Sequence, residues 1–113
     1  MHTIDELKEQ AVSIFRKYEE TGTNRWSADT VVMDLSYQIG SLAKLIMCMR
    51  GNRNSNMVDE KLKEQIGDEI SDILADILYL SNELDIDIGQ AWENMLSSDG
   101  QKISQKKREK LYQ

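Results

Sequence analysis

Apolar side chains recur at every third or fourth position over residues 62–84, and this stripe constrains the fold more than any other feature of the chain. The spacing is the period of an α-helix with one face turned toward a core, and it predicts a helix that begins near residues 56–59 and ends at about Leu84. An apolar face this long has to be buried against other elements. The stripe consists of Leu62, Ile66, Ile70, Ile73, Ile77, Leu80 and Leu84.

Two further helices are predicted before this one. Thr3 and Glu6 have the spacing of a capping box, and the first helix should run from there to about Glu20. Ser27 is a favourable N-cap for the second helix, and Gly51 is suited to closing it. The apolar stripe of the second helix consists of Val31, Leu35, Ile39, Leu42, Ile46 and Met49.

A fourth, short helix is predicted after Asp87, which with Gln90 repeats the capping pattern. Ala91, Trp92 and Leu96 should face inward, and the SSDG segment (97–100) should end the helix. The chain has no proline and only six glycines, which favours helices joined by short turns. These patterns predict an all-α bundle of four to five helices, in which the segment after residue 100 either forms a further helix or stays mobile.

The chain length points to one domain that associates with copies of itself. A chain of 113 residues has room for a helical domain over residues 1–100 and a basic tail over residues 101–113. A domain this small hides only about 60–65% of the surface of its unfolded chain. Helices with two apolar faces would therefore be completed by a homodimer or a homotetramer.

Charge is distributed unevenly along the chain. The net charge is −6, but residues 101–113 carry five basic side chains against Glu109, which leaves nine basic and nineteen acidic residues in the body. An acidic body argues against a nucleic-acid groove. The tail is either a solubilising or frayed terminus, or a cationic arm that reaches the phosphates of a nucleotide or the acidic body of a neighbouring subunit.

The cysteine and histidine content excludes several kinds of site. Cys48 is the only cysteine, which rules out an intramolecular disulfide and favours a reducing compartment. His2, the only histidine, lies in a terminus expected to be mobile, which argues against histidine catalysis. The chain has no secretory h-region and no apolar run that approaches 18 residues, so we expect a cytoplasmic protein, bacterial or from phage, without a membrane span.

Three acids of the third helix border its apolar stripe. Glu69, Asp72 and Asp76 lie at i, i+3 and i+7, so they cluster on one side of the helix. Like charges at this spacing destabilise a helix by a few tenths of a kcal/mol per pair, and a hard cation such as Mg²⁺ or Mn²⁺ would relieve the repulsion. The alternative is a solvated acidic face, or ion pairs with Lys44 or an arginine.

The second helix has an oxygen-rich border of its own. Asp34, Gln38 and Ser41 lie at i, i+4 and i+7 beside the apolar stripe. The short turn between the two helices predicts an antiparallel hairpin. Such packing could bring the two borders face to face across a gap of the size of a metal ion.

Several segments carry a family pattern of the form E-E-x-x-E, a spacer, and E-x-x-D. Glu69 and Asp72 match E-x-x-D, Gly40 and Lys44 match the surroundings of the first motif, and 27 residues separate Ser41 from Glu69. The ending LSNELDIDIGQAW and the tryptophan loop NRWSADT fit the same pattern. Over about residues 24–96 the chain therefore resembles the MazG-like, all-α nucleoside triphosphate pyrophosphohydrolases.

This resemblance implies Mg²⁺-dependent (or Mn²⁺-dependent) hydrolysis of a nucleoside triphosphate to a monophosphate and pyrophosphate, with Glu69 and Asp72 as catalytic metal ligands. The first motif departs from the pattern, because Gln38 and Ser41 stand where the family has acids. Two missing charges would weaken cation binding by several kcal/mol on a Coulomb estimate at an effective dielectric of about 20. Asp34 and Asp76, one turn away, are candidates to replace them.

Four residues are candidates for binding the nucleotide. Lys44 and Arg50 could meet a triphosphate, and Asn82 lies where the resemblance places polar side chains near the nucleotide. Trp26 lies in a polar loop and should fold back onto the bundle, with stacking on a bound base as the alternative. The competing function is a catalytically inactive relative that binds a nucleotide or a protein.

Overall fold

The computed structural model describes residues 1–22, 24–51 and 59–111, and in these ranges the chain forms four α-helices and no strand. The helices are α1 (Ile4–Glu20), α2 (Ala28–Met49), α3 (Asp59–Glu83) and α4 (Ile88–Leu111). The all-α prediction is confirmed. The predicted start of the third helix before Asp59 lies outside the described residues.

The predicted caps define the ends of the first two helices. The Thr3 hydroxyl accepts a hydrogen bond from the Glu6 backbone N–H at 3.2 Å, and the Glu6 carboxylate accepts one from the Thr3 N–H at 3.3 Å. The Ser27 hydroxyl accepts from the Thr30 N–H at 3.3 Å. Gly51 follows α2 with φ of +76°, a left-handed conformation that a side chain would oppose.

The third helix is the centre of the bundle. α2 packs along one side of α3, and α1 packs on another side. α4 packs mainly on α1. The aromatic core joins three segments of the chain, because the Phe15 ring stacks on Tyr79 at 4.2 Å between centroids and meets Trp26 edge-on at 5.1 Å. Val31 at the start of α2 closes this core and is fully buried.

The fourth helix differs from its prediction. It continues through Gly100 to Leu111, and Trp92 and Leu96 are 53% and 49% exposed instead of facing inward. The SSDG segment contains no proline, and a glycine inside an exposed helix costs only about 1 kcal/mol, so the lysine-rich tail can continue the helix. The predicted cap is present, since the Asp87 carboxylate accepts a hydrogen bond from the Gln90 N–H at 3.0 Å.

The apolar stripes of α2 and α3 are only partly buried within one chain. Ile39 on α2 and Ile70 on α3 are about half exposed, and Leu84 is exposed as well, because α2 packs mainly on α3, and α3 has only α1 and α2 beside it. The radius of gyration is 18.6 Å, whereas a compact domain of this length has about 13 Å. The chain therefore has an open shape with unburied apolar surface.

The helix α2 also has the length and apolar composition of a helix that could cross a membrane. Length and composition alone do not separate such a helix from one that packs inside a bundle. In this structure α2 lies against α3 and carries Asp34 in the contact.

Candidate functional site

The polar borders of α2 and α3 face each other along the helical hairpin. Ser41 and Lys44 of α2 line one open cleft of about 430 Å³ together with Glu69 of α3. Further along the hairpin Asp34 lies beside Asp76. Because the later residue of α2 meets the earlier residue of α3 in these two contacts, the helices are antiparallel. Gln38 on α2 and Asp72 on α3 lie between the cleft and the Asp34–Asp76 pair.

The contact between the two helices follows a regular heptad spacing with polar side chains at its centre. Glu69 and Asp76 of α3 meet residues of α2, and the buried and half-buried positions that continue their line along α3 are spaced four and three residues apart, which indicates that this line faces α2. Asp34, Gln38 and Ser41 have the same spacing on α2, and all three are half-buried. We call these positions the polar seam. The seam positions on α3 are Leu62, Ile66, Glu69, Ile73, Asp76 and Leu80.

Glu69 forms the acidic wall of the cleft. Its side chain is half-buried, and its Oε2 atom is buried without a hydrogen-bond partner among the residues that the structure describes. A carboxylate oxygen removed from water without a donor is destabilising, so a positive ligand would be favourable here. The ion pairs among the described residues join His2 to Glu6, Arg25 to Glu83 and Lys61 to Glu64, and none of them involves Glu69.

Asp76 is the acid that α2 covers most completely. It is 3% exposed, and no group in the described part of the chain forms a hydrogen bond with its Oδ2 atom. Burial, the Asp34 carboxyl within hydrogen-bonding reach and the charges of Asp34 and Asp72 together raise the pKa of the Asp76 carboxyl to about 7. The two carboxyl groups therefore form a pair that cannot easily carry two negative charges.

The remaining members of the predicted ligand set lie around these two acids. Asp72 is exposed on the same side of α3, between Glu69 and Asp76 in sequence, and Gln38 is half-buried on α2. Among residues 1–22, 24–51 and 59–111, no group of three or more His, Cys, Asp or Glu side chains has the arrangement of a complete metal site. A cation here would need neutral oxygen ligands or water in addition to the acids.

The structure separates the four candidate nucleotide contacts. Lys44 lines the cleft, and Arg50 lies exposed at the C-terminal end of α2. Asn82 lines a different cleft, of about 770 Å³, on the α1 side. Trp26 folds back onto Phe15, as predicted, and its carbonyl accepts a hydrogen bond from the Tyr79 hydroxyl at 2.9 Å.

Sequence reasoning placed Glu69 and Asp76 at the border of the apolar stripe and missed that they lie within the helix contact. The signal was present, because a stripe that runs through Glu69 and Asp76 in place of Ile70 and Ile77 alternates spacings of four and three residues from Leu62 to Leu80. Comparison with protein families, with curated proteins and with solved structures finds no match. The MazG-like resemblance stays a prediction from the motifs.

Proposed function

We propose that this chain is a cytoplasmic, MazG-like nucleotide pyrophosphohydrolase that hydrolyses a nucleoside triphosphate to the monophosphate and pyrophosphate, with activity weakened by the altered first motif. The observation that carries the proposal is the position of Glu69. Its carboxylate has a buried oxygen without a partner, in the same cleft as Ser41 and Lys44. This cleft combines an acid that favours a cation with a lysine that favours a phosphate.

The oxygen donors in and beside the cleft fit Mg²⁺ or Mn²⁺. Glu69 and Ser41 line the cleft with a carboxylate and a hydroxyl. Asp72 and Gln38, beside it on α3 and α2, offer a carboxylate and an amide oxygen, and hard divalent cations prefer such ligands. When bound, the cation supplies charge that neutralises the triphosphate and lowers the pKa of a coordinated water. The two carboxylates would hold it, and the neutral side chains on α2 would contribute dipoles without charge.

Lys44 is the residue of this set that can bind the substrate directly. Its ammonium group lines the cleft and is exposed, so it can donate to a phosphate oxygen that enters from solvent. The cleft has the size of a small-molecule site. Arg50 lies two turns further along α2 and could contact only a ligand that extends beyond the cleft.

Release of pyrophosphate from a panel of common and modified nucleoside triphosphates, with Mg²⁺ and with Mn²⁺, tests the proposal. We expect Glu69→Gln to lower kcat/KM about a hundredfold or more, because it removes one of the two charges that hold the cation. Asp68→Asn is the matched control, since Asp68 lines the same cleft but is exposed. Equal turnover by wild type and Glu69→Gln would show that the proposed assignment is wrong.

A second candidate function is a non-catalytic nucleotide- or protein-binding module. Neutral Gln38 and Ser41 favour it, because they leave only two acids at the motif positions. Stabilisation by a non-hydrolysable nucleotide, without pyrophosphate release from the hydrolysable one, would support this alternative. The same stabilisation together with release would support the hydrolase.

The proposal includes a homo-oligomer. The chain exposes 8963 Å², whereas a compact monomer of its mass exposes about 6,300 Å². The difference exceeds the area that a standard protein–protein interface buries, about 1,600 Å². A second copy that covers the free faces of α2 and α3 would complete the bundle.

A further inference from the structure

The polar seam contains a second acidic position that is separate from the cleft. Asp76 lies seven residues after Glu69 on α3, a distance of about 10.5 Å along the helix axis. Its partner across the contact is Asp34 of α2, which takes no part in lining the cleft. Neither acid belongs to the motif positions on which the family resemblance is based.

The Asp34–Asp76 pair is destabilising unless something positive joins it. Asp76 is almost completely buried, its Oδ2 atom has no donor, and a second carboxyl is within hydrogen-bonding reach. Apolar residues occupy the neighbouring seam positions, Ile73 and Leu80, so an apolar side chain would fit the pattern of α3 better. The ion pairs of the described residues include neither acid.

Asp72 places a further negative charge near this pair. It is exposed on the same helix, one turn before Asp76, and its charge acts on the Asp76 carboxyl. An exposed acid at the edge of a buried pair is suited to bind a hydrated cation through one of its waters. Mg²⁺ takes six oxygen ligands, usually keeps several waters and is commonly bound through one or two carboxylates, so two aspartates and waters can make up its coordination shell.

We propose that Asp34 and Asp76 bind a divalent cation, Mg²⁺ or Mn²⁺, between α2 and α3, with Asp72 as a water-mediated neighbour. This site binds the metal without any nucleotide and goes beyond the hydrolase proposal. The cation links the two helices, so its binding raises the stability of the hairpin.

The test uses the full-length chain and the metal alone. Calorimetric titration with Mn²⁺ at about pH 8, above the pKa of Asp76, should show one Mn²⁺ bound per chain when no nucleotide is present. Added Mg²⁺ should displace this Mn²⁺. We expect Asp76→Asn and Asp34→Asn each to weaken this binding tenfold or more. Asp34 is half-buried, so the chain should tolerate Asp34→Asn more readily than Asp76→Asn. If the Asp76 variant does not fold, Mn²⁺ binding by the Asp34 variant still tests the proposal.

Glu64→Gln, which removes an exposed acid of α3 outside both the cleft and the pair, is the matched control and should bind Mn²⁺ as tightly as wild type does. The proposal is overturned if Asp34→Asn binds Mn²⁺ as wild type does, or if Glu69→Gln abolishes binding while Asp34→Asn keeps it, which would place the cation in the cleft. It is also overturned if wild type binds no divalent cation, in which case the pair shares only a proton.

The outcome is distinguishable from failure of the proposed hydrolysis. Pyrophosphate release that survives in Asp34→Asn leaves the hydrolase proposal intact even if this site is absent. Conversely, metal binding by a chain that hydrolyses no nucleotide supports the Asp34–Asp76 site alone.

Discussion

The carboxyl group of Asp76 lies in the polar seam, and its titration makes the stability of the folded chain depend on pH. The pKa of Asp76 is about 7 in the folded chain, against an ordinary value of 3.8. Folding therefore favours its protonated form, because the buried charge would face Asp34 without a cation. The contribution to stability is complete below about pH 4 and is lost as the pH rises through 7.

We predict that, in the presence of a chelator, the free energy of unfolding falls between about pH 4 and pH 8 through this group. The loss could reach about 4 kcal/mol, the energy that corresponds to a shift of about three pKa units. Urea unfolding across this range measures it, and Asp76→Asn provides the control because an amide does not titrate. A wild-type curve with the same slope as that of the variant would contradict the prediction.

At the scale of residues, the sequence was sufficient to find the acids but not their surroundings. Two overlapping stripes on α3 fit the helical period, one through Ile70 and Ile77 and one through Glu69 and Asp76. Hydrophobicity favours the first, but the structure turns the second toward α2. Which stripe faces a partner depends on tertiary packing, which overrides local pattern.

Helix boundaries were predictable wherever a cap or a turn residue determines them. The turn between α3 and α4 shows the limit, because Asp85 adopts a φ of +54° there, a conformation that favours glycine. Aspartate tolerates the left-handed region better than most residues, so this turn forms without the glycine that would have marked it in the sequence. The SSDG segment (97–100) resembles a turn but lies inside α4, which is why that helix was predicted too short.

Two glycine substitutions test the extent of α4. Gly100 lies inside the helix, and a Cβ atom there would meet nothing within 4 Å, so Gly100→Ala should stabilise the helix by up to about 1 kcal/mol. Hydrogen exchange of the backbone amides after residue 97 measures the effect. Gly22→Ala is the matched control and should be destabilising, because the φ of Gly22 is +96°. Unchanged exchange in Gly100→Ala would contradict a continuous α4.

At the scale of the whole molecule, charge and apolar surface point to the same kind of neighbour. The last part of α4 carries all five basic residues of the tail and extends away from a body that is strongly acidic. The exposed apolar residues of α2 lie on the side that α3 leaves open. A second copy offers both an acidic surface for the basic helix and an apolar surface for α2.

We predict that the chain forms a dimer or tetramer and that charge on the open face of α2 disrupts it. Met33 and Tyr37 lie one turn apart and are 74% and 72% exposed. The double substitution to glutamate should give a monomer of 13.0 kDa in sedimentation velocity, since each buried apolar side chain contributes about 1.5–3 kcal/mol.

Ser13→Glu is the control for the added charge, because Ser13 is exposed on α1 among acidic and basic side chains and should leave the assembly unchanged. If the basic part of α4 meets the acidic body of another copy, added salt should weaken association in wild type. If the double variant still forms oligomers, the interface between copies does not involve this face of α2. A wild-type chain that sediments as a monomer at micromolar concentration would leave the apolar faces of α2 and α3 uncovered, and the proposed homo-oligomer would be wrong.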